Sequence, residues 1–183
     1  MHEMTVYGVS FDMIGKQPIV LLKTKGGNTF LPIWIGHPEA AAILMNLKGD
    51  DPPRPMTHDL ATSIIDALDG EIREVTVTEL RENTFHALIT IVRNGTEIEL
   101  DARTSDAIAL ALRTDAKIYA ADDVIEESGV EFEGDEDEAS RRLVGSDVES
   151  LADLDPDEFR HFLDTVTPDE FAAEPEDEPG QEA

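Results

Sequence analysis

Residues 21–43 read LLKTKGGNTFLPIWIGHPEAAAI, and residues 88–110 read LITIVRNGTEIELDARTSDAIAL. Both stretches show the same order of features: a strand, a turn containing Gly and Asn, a second strand, and a helix with an acid in its first turn. The alignment pairs Ile33 with Leu100 and Glu39 with Asp106. We therefore predict an internal duplication that places these two acids at equivalent corners of a pseudo-symmetric body.

Each copy extends into a βββα unit when the flanking residues are included. Alternating apolar residues predict strands at 4–11, 18–24, 29–35, 72–80, 84–92, 96–102 and 117–120. Helical spacing predicts helices at 38–47 and 105–114, and another that begins at an N-cap Thr57 and ends at Gly70. The local hairpins predict an α+β fold with duplicated βββα units, a mixed or mostly antiparallel sheet and an extra helix between the copies.

The last third of the chain differs in composition from the rest. It is charged and poor in apolar residues, except where Phe159, Phe162, Leu163 and Val166 recur at helical spacing. We predict an α+β domain at 1–129, an acidic linker at 130–150, a short helical extension at 151–173 and a disordered acidic tail at 174–183. A helix this short is unstable alone in water, so we expect it to dock on the main domain or on a partner.

The chain is strongly acidic, with 41 acids against 14 bases and a formal net charge of −27. Residues 122–183 hold 24 of the acids and three of the bases, which leaves a net charge of −6 on the first 121 residues. Acidity in both parts favours adaptation to a salt-rich cytoplasm, where the Debye length is about 3 Å at 1 M and self-repulsion is screened. The alternative is that the tail is a regulatory or partner-binding arm. Nucleic-acid-binding proteins usually carry a basic surface, and this composition offers none.

Composition also excludes several classes of protein. The chain has no cysteine, which rules out a disulfide framework, thiol catalysis and a cysteine-based zinc site. No run approaches the roughly 20 apolar residues of a membrane span, and the N-terminus lacks the basic-then-apolar pattern of a signal peptide. We expect a cytoplasmic protein that does not enter a membrane.

Three polar blocks lie in order along the chain: PIWIGHPEA at 32–40, RPMTHDL at 54–60 and DARTSDA at 101–107. In residue type and spacing they resemble the bifunctional nuclease (BFN) domain family, whose pattern is approximately P-I-W-I-G-x-x-E-A, R-P-x-T-H-D-L and D-A-R-P-S-D-A. The resemblance covers residues 4–129, and the acidity is that of a haloarchaeal-like member. Thr104 stands where the family usually has proline, so it leaves an extra backbone donor and a hydroxyl that can cap a helix. The resemblance implies a compact oligomeric α+β protein with DNase and RNase activity.

Phosphodiester hydrolysis commonly uses carboxylates that hold one or two divalent ions, with a cation or a histidine assisting. The three blocks supply such side chains at Glu39, His58, Asp59, Asp101, Arg103 and Asp106. Asp101 and Arg103 share one face of their strand and precede a helix N-terminus, which favours anions. If His58 and Asp59 approach that corner, the group could hold a phosphate and a Mg²⁺ or Mn²⁺ ion, with Asp101, Asp106 and His58 as metal ligands.

Each of these residues also has a structural explanation. Glu39, Asp59 and Asp106 lie early in predicted helices, where the helix dipole alone makes a carboxylate worth about 0.3 to 1 kcal/mol. Asp101 and Arg103 could form a salt bridge at the strand-to-helix turn, and His58 could cap a helix or pack. Trp34 lies on a strand with two apolar faces, so it could anchor a subunit contact; base stacking is the alternative.

Two functions therefore stand. The first is a metal-dependent nuclease that cleaves DNA, RNA or both. The second is a non-enzymatic, oligomeric module that binds a small anion or a protein partner, with Arg54, Arg103 and the helix N-termini forming the anion pocket. Metal bound among Asp101, Asp106 and His58 would favour the enzyme, and an anion bound without metal would favour the module.

Overall fold

Apolar and β-branched runs form eight strands in the computed structural model, which describes residues 1–12, 17–50 and 52–131. The strands are β1 (His2–Asp12), β2 (Gln17–Thr24), β3 (Thr29–Trp34), β4 (Gly70–Arg81), β5 (Thr84–Arg93), β6 (Thr96–Arg103), β7 (Lys117–Ala120) and β8 (Val130–Glu131). The helices of the same ranges are α1 (His37–Lys48), α2 (Thr57–Ala67), α3 (Thr104–Thr114) and α4 (Asp122–Ser128).

The strands form one sheet in the order β6-β5-β4-β7-β1-β2-β3-β8. Neighbouring strands are antiparallel except β4 and β7, which run parallel. A parallel pair needs a crossover connection, and here β5, β6 and α3 supply it. The predicted α+β fold with a mixed, mostly antiparallel sheet is confirmed.

The duplication is visible in the boundaries of the elements. β3 and β6 begin at the aligned residues Thr29 and Thr96, and the helices that follow have the aligned residues Gly36 and Arg103 as their N-caps. The meanders β3-β2-β1 and β6-β5-β4 lie on opposite sides of β7. Each copy is therefore a βββα unit, and β7 joins the two units at the centre of the sheet.

The three longer helices pack side by side, with α3 between α1 and α2. Residues 107–111 of α3, which are alanine, isoleucine and leucine, are all buried, as their apolar character predicted. Small side chains on α3 allow close approach of its neighbours and of the sheet. As a result, the N-terminal ends of α1, α2 and α3 meet at one place.

Three local features differ from the predictions. The N-cap of α2 is Met56 and not Thr57, because the Asp59 carboxylate accepts a hydrogen bond from the Met56 backbone N–H at 2.8 Å. The sequence reading missed α4, and it also missed β8, which pairs with β3. Both lie in acid-rich sequence. The apolar pattern of α4 is weak, because Val124 is its one buried residue.

The predicted helical extension at 151–173 and the predicted acidic tail at 174–183 lie outside the described residues, as does the predicted linker beyond residue 131. Within the part of the chain that the structure describes, no helix is long and apolar enough to cross a membrane.

Candidate functional site

Arg103 is the centre of a cluster formed where the three helices begin. Its Nε donates to Asp106 Oδ2 at 2.8 Å and its Nη2 to Asp106 Oδ1 at 3.2 Å, while its Nη1 lies 2.9 Å from Glu39 Oε1. Arg103 is the N-cap of α3, and Glu39 and Asp106 occupy the first turns of α1 and α3. One guanidinium therefore joins the two repeats through acids that the sequence alignment had already paired.

His58 extends this cluster to α2. Its Nε2 lies 3.0 Å from Asp106 Oδ1, and its side chain is 14% exposed. An ionised Asp106 can only accept, so the contact requires the His58 proton to be on Nε2. The other ring nitrogen, Nδ1, is then free to accept a proton from another molecule. The residues Glu39, Arg103, Asp106 and His58 are called the helix-mouth cluster below.

The protonation states of the cluster follow from its contacts. Burial alone would raise the pKa of Asp106, but hydrogen bonds from Arg103 and His58 outweigh it, and the pKa is held below the ordinary aspartate value. The hydrogen bonds with Asp106 and the charge of Glu39 raise the pKa of Arg103. The cluster thus carries one net negative charge when His58 is neutral and none when His58 is protonated.

Gly36 explains why a single arginine can serve both repeats. It is aligned with Arg103, and a Cβ atom at this position would clash with Glu39 Oε2. A side chain here would push the Glu39 carboxylate away from its position beside Arg103. The first copy therefore has no side chain where the second has a guanidinium, and the cluster is asymmetric.

Thr104, which departs from the family pattern, is the first residue of α3 and is buried. Its hydroxyl donates to the Phe85 backbone carbonyl at 2.9 Å. This bond ties the start of α3 to β5 and holds the neighbouring Arg103 at the mouth of the cluster.

Asp59 has a structural role that occupies both of its carboxylate oxygens. Oδ2 accepts the Met56 backbone N–H, and Oδ1 accepts Arg113 Nε at 2.5 Å. Arg113 also donates to the backbone carbonyls of Ala109 at 2.9 Å and Ala42 at 3.1 Å, so it links α1, α2 and α3. Both oxygens of Asp59 are therefore taken by contacts within the protein.

Sequence reasoning missed Arg113. The signal was present, because Arg113 is the one charged residue after Asp106 in an otherwise apolar helix and lies seven residues, or about two turns, further on. A cation alone on the buried face of a helix requires an acidic partner. The sequence could not show that this partner was Asp59 on α2.

Asp101 lies apart from the cluster. Asp101 pairs with Leu88 of β5, and the two side chains lie on one face of the sheet. Leu100 and its partner Ile89 lie on the other face. Arg103 still pairs with His86 in the β5–β6 ladder, but its guanidinium contacts Glu39 and Asp106, and Asp101 takes no part in those contacts. The Asp101 side chain is exposed and makes no hydrogen bond or ion pair with any residue of 1–12, 17–50 and 52–131.

The described arrangement does not fit a divalent metal ion. Both oxygens of Asp106 are bound to Arg103, one of them also to His58, and Asp101 is not beside them. Among the residues with described positions, no three His, Asp or Glu side chains come together as ligands. The requirement for Mg²⁺ or Mn²⁺ stays a prediction from the sequence.

The low pKa of Asp59 predicts how acid affects stability. Its hydrogen bonds to Arg113, then to the Met56 N–H, lower the pKa below the unfolded value of about 3.9. A lowered folded-state pKa stabilises the protein above the unfolded pKa, and this stabilisation is lost as the pH falls through the folded pKa. We expect Asp59→Asn to lower the urea midpoint by a constant amount near neutrality, and the deficit to shrink below about pH 4.

Glu127→Gln is the control, because Glu127 is exposed and its side chain has no hydrogen-bond or ion-pair partner among the described residues. Its difference in midpoint should stay small at every pH. An Asp59→Asn deficit that persists unchanged in acid would contradict the assigned ion pair.

The chain is similar to known proteins over the residues that form the helix-mouth cluster. The family model described as the bifunctional nuclease domain matches residues 20–133, which include all four members of the helix-mouth cluster. The chain is also 39% identical over 173 residues to the uncharacterized proteins MT1877 and Rv1829 of two Mycobacterium tuberculosis strains, CDC 1551 / Oshkosh and ATCC 25618 / H37Rv. These alignments cover 94% of this chain and 99% of each relative. The chain therefore belongs to the bifunctional nuclease domain family.

Proposed function

We propose that this protein hydrolyses phosphodiester bonds in nucleic acid, DNA, RNA or both, at the helix-mouth cluster. Family membership supports the class of reaction. The observation that carries the site is the hydrogen-bonded series Arg103–Asp106–His58, which pairs an oriented histidine with an exposed cation. A general acid or base and a positive charge are two groups that phosphodiester hydrolysis needs.

His58 is the group that moves a proton. Asp106 holds Nε2–H, so Nδ1 can accept a proton from the attacking oxygen. The same nitrogen, once protonated, can donate to the leaving oxygen. Asp106 orients the ring and stabilises its protonated form, which is the established role of a carboxylate beside a catalytic histidine.

Arg103 is the group that meets the phosphate. Its side chain is 68% exposed although two carboxylates hold it, so the guanidinium is reachable from solvent. A guanidinium matches the geometry of phosphate oxygens and offsets the negative charge that develops on them. Glu39 fixes its orientation from the other repeat, which makes Glu39 a positioning residue.

The acidic charge of the chain sets the conditions for activity. At low salt a phosphate chain is repelled by a protein of net charge −27. At about 1 M salt the Debye length falls to about 3 Å, so only groups in direct contact still interact. We expect cleavage to be strongest in concentrated KCl.

The experiment is cleavage of labelled DNA and RNA by pure protein in about 1 M KCl, with Mg²⁺, with Mn²⁺ or with EDTA. Cleavage should co-purify with the protein and fall at least about 100-fold in Asp106→Ala. Equal cleavage by Asp106→Ala and wild type would reject this cluster as the site.

Two further measurements test the metal requirement and the role of Asp101. Loss in EDTA would support the predicted metal requirement, and retention would assign the reaction to the side chains alone. An Asp101→Ala variant with full activity would remove Asp101 from the site, and an inactive one would require a rearrangement that brings it in.

A second candidate is a binding module for a small anion or a protein. It is favoured by Asp59 and Asp106, whose oxygens are already taken by contacts within the protein. Titration calorimetry with inorganic phosphate and with a mononucleotide separates the two functions. Binding lost in Arg103→Ala, together with no cleavage by wild type under any condition, would establish the module.

A further inference from the structure

The exposed apolar side chains of this protein are concentrated on one surface. Nine large apolar residues are exposed in the described part of the chain, and six of them belong to α2, its two caps or β6. Soluble proteins normally scatter such residues, and a concentration of them marks an interaction site. The six are Met56, Leu60, Ile64, Leu68, Ile98 and Leu100.

Four of these residues form a stripe along α2. Met56, Leu60, Ile64 and Leu68 recur every fourth position, which places them on one side of the helix. Leu60 is 53% exposed and Leu68 is 54% exposed, and α2 contains no buried residue. Its inner side, which carries His58, faces α3. Packing within one chain therefore covers only the inner side of α2 and leaves the stripe in contact with solvent.

The other two residues lie on the same face of the sheet as α2. Ile98 is opposite Ile91 in the β5–β6 ladder, and Ile91 and the α2 residue Ile65 both lie close to Gly70. Leu100 follows two residues after Ile98, on the same face. β6 is an edge strand, so no strand of the described chain pairs with its outer edge. These two residues and the stripe form the α2–β6 surface.

We propose that the α2–β6 surface binds a second copy of this chain, with the two α2 helices antiparallel about a two-fold axis. The stripe is self-complementary in this arrangement, because Leu60 lies opposite the partner's Ile64 and Met56 lies opposite the partner's Leu68. A two-fold contact requires this reciprocity, in which one patch serves both subunits.

The charges at the ends of the stripe support the same arrangement. Arg54 lies just before α2, and Asp66 and Asp69 lie at its other end. All three are exposed, and their side chains have no ion-pair partner within the described ranges. Antiparallel pairing brings each basic end beside the partner's acidic end and also opposes the helix dipoles.

Association of two such acidic chains must depend on salt. Each copy has a net charge of −27, so the copies repel one another when the charges are weakly screened. Salt screens that repulsion and leaves the apolar contact in place. The dimer should therefore form in about 1 M KCl and dissociate at about 0.1 M, in contrast to an interface held by ion pairs alone.

Light scattering after size-exclusion chromatography of the full chain tests the surface. Wild type should elute as a dimer in high KCl, and Leu60→Gln/Ile64→Gln as a monomer with unchanged circular dichroism. Leu47→Gln is the matched control, because Leu47 is exposed on α1 outside the surface. A monomeric wild type, or a dimer that persists in the double variant, would overturn the proposal.

The helix arrangement has its own test, because the chain has no cysteine. Ser63 is exposed near the middle of the stripe, so Ser63→Cys should form an intermolecular disulfide on mild oxidation. Asp123→Cys on α4 should not. A dimer that fails to cross-link at Ser63→Cys would reject the antiparallel pairing. A dimer that Trp34→Ala dissociates would instead place the interface at the exposed Trp34.

Discussion

Replacement of His58 by glutamine should lower the rate of phosphodiester cleavage by about 100-fold to 10,000-fold, the range typical for loss of a general acid or base. Glutamine keeps a hydrogen-bonding group near Asp106, so the helix-mouth cluster should retain its shape. It cannot take up and release a proton near neutral pH. The measurement is the initial rate on a labelled oligonucleotide under saturating conditions in concentrated KCl.

The expected loss lies in turnover and not in binding. Phosphate contact is assigned to Arg103, so substrate affinity should change little in His58→Gln. His2→Gln is the matched control, since His2 is on β1 and its ring contacts Asp122 and no member of the helix-mouth cluster. Full activity in His58→Gln would exclude His58 as the proton-transfer group, whatever the family membership.

Replacement of Arg113 by methionine should lower the free energy of unfolding by about 3 kcal/mol. Arg113 is 9% exposed, and its guanidinium bonds to Asp59 and to backbone carbonyls of Ala109 and Ala42. Methionine fills similar space but leaves the Asp59 carboxylate and the Ala42 carbonyl without their donor. Asp59 is 31% exposed and keeps its bond from the Met56 N–H, so the expected cost is at the lower end of the range for breaking a buried pair from one side.

The measurement is urea unfolding at fixed KCl, with Arg93→Met as the matched control. Arg93 is exposed at the end of β5 and has no ion-pair partner in the described structure, so its loss should change stability by less than about 0.5 kcal/mol. Combining Arg113→Met with Asp59→Asn should cost less than the sum of the two single variants, because the two residues share one contact. Additive effects would show that the pair is not coupled.

Much of the fold could be predicted because local patterns agreed with the repeat. The turn Asn94-Gly95 has two consecutive residues with positive φ, which is the backbone that a two-residue hairpin requires. Alternation on the strands and alanine on α3 fixed which faces were buried. α4 was missed because the acids at its start, Asp122 and Asp123, read as part of an acidic tail and not as the first turn of a helix.

The site was only partly predictable, for a physical reason. Contacts within one element follow from spacing, so the Arg103–Asp106 pair three residues apart could be anticipated. The pairing of Glu39 with Asp106 followed from the repeat. Contacts between elements, such as Asp59 with Arg113, depend on how α2 lies against α3, and spacing carries no information about that. Alternation on β6 places Asp101 and Arg103 on one face, but it could not show that only Arg103 contacts Glu39 and Asp106.

The position of β7 constrains how the chain can fold as it is made. β1 and β4 are not neighbours in the sheet. β4 pairs with all four residues of β7 and β1 with three of them, and β7 follows β1 by more than a hundred positions. During synthesis, the inner edges of β1 and β4 therefore stay unpaired until Lys117–Ala120 has left the ribosome. The first 121 residues carry a net charge of −6, which opposes association of such chains, and the larger acidity of residues 122–183 follows only after β7 has been made.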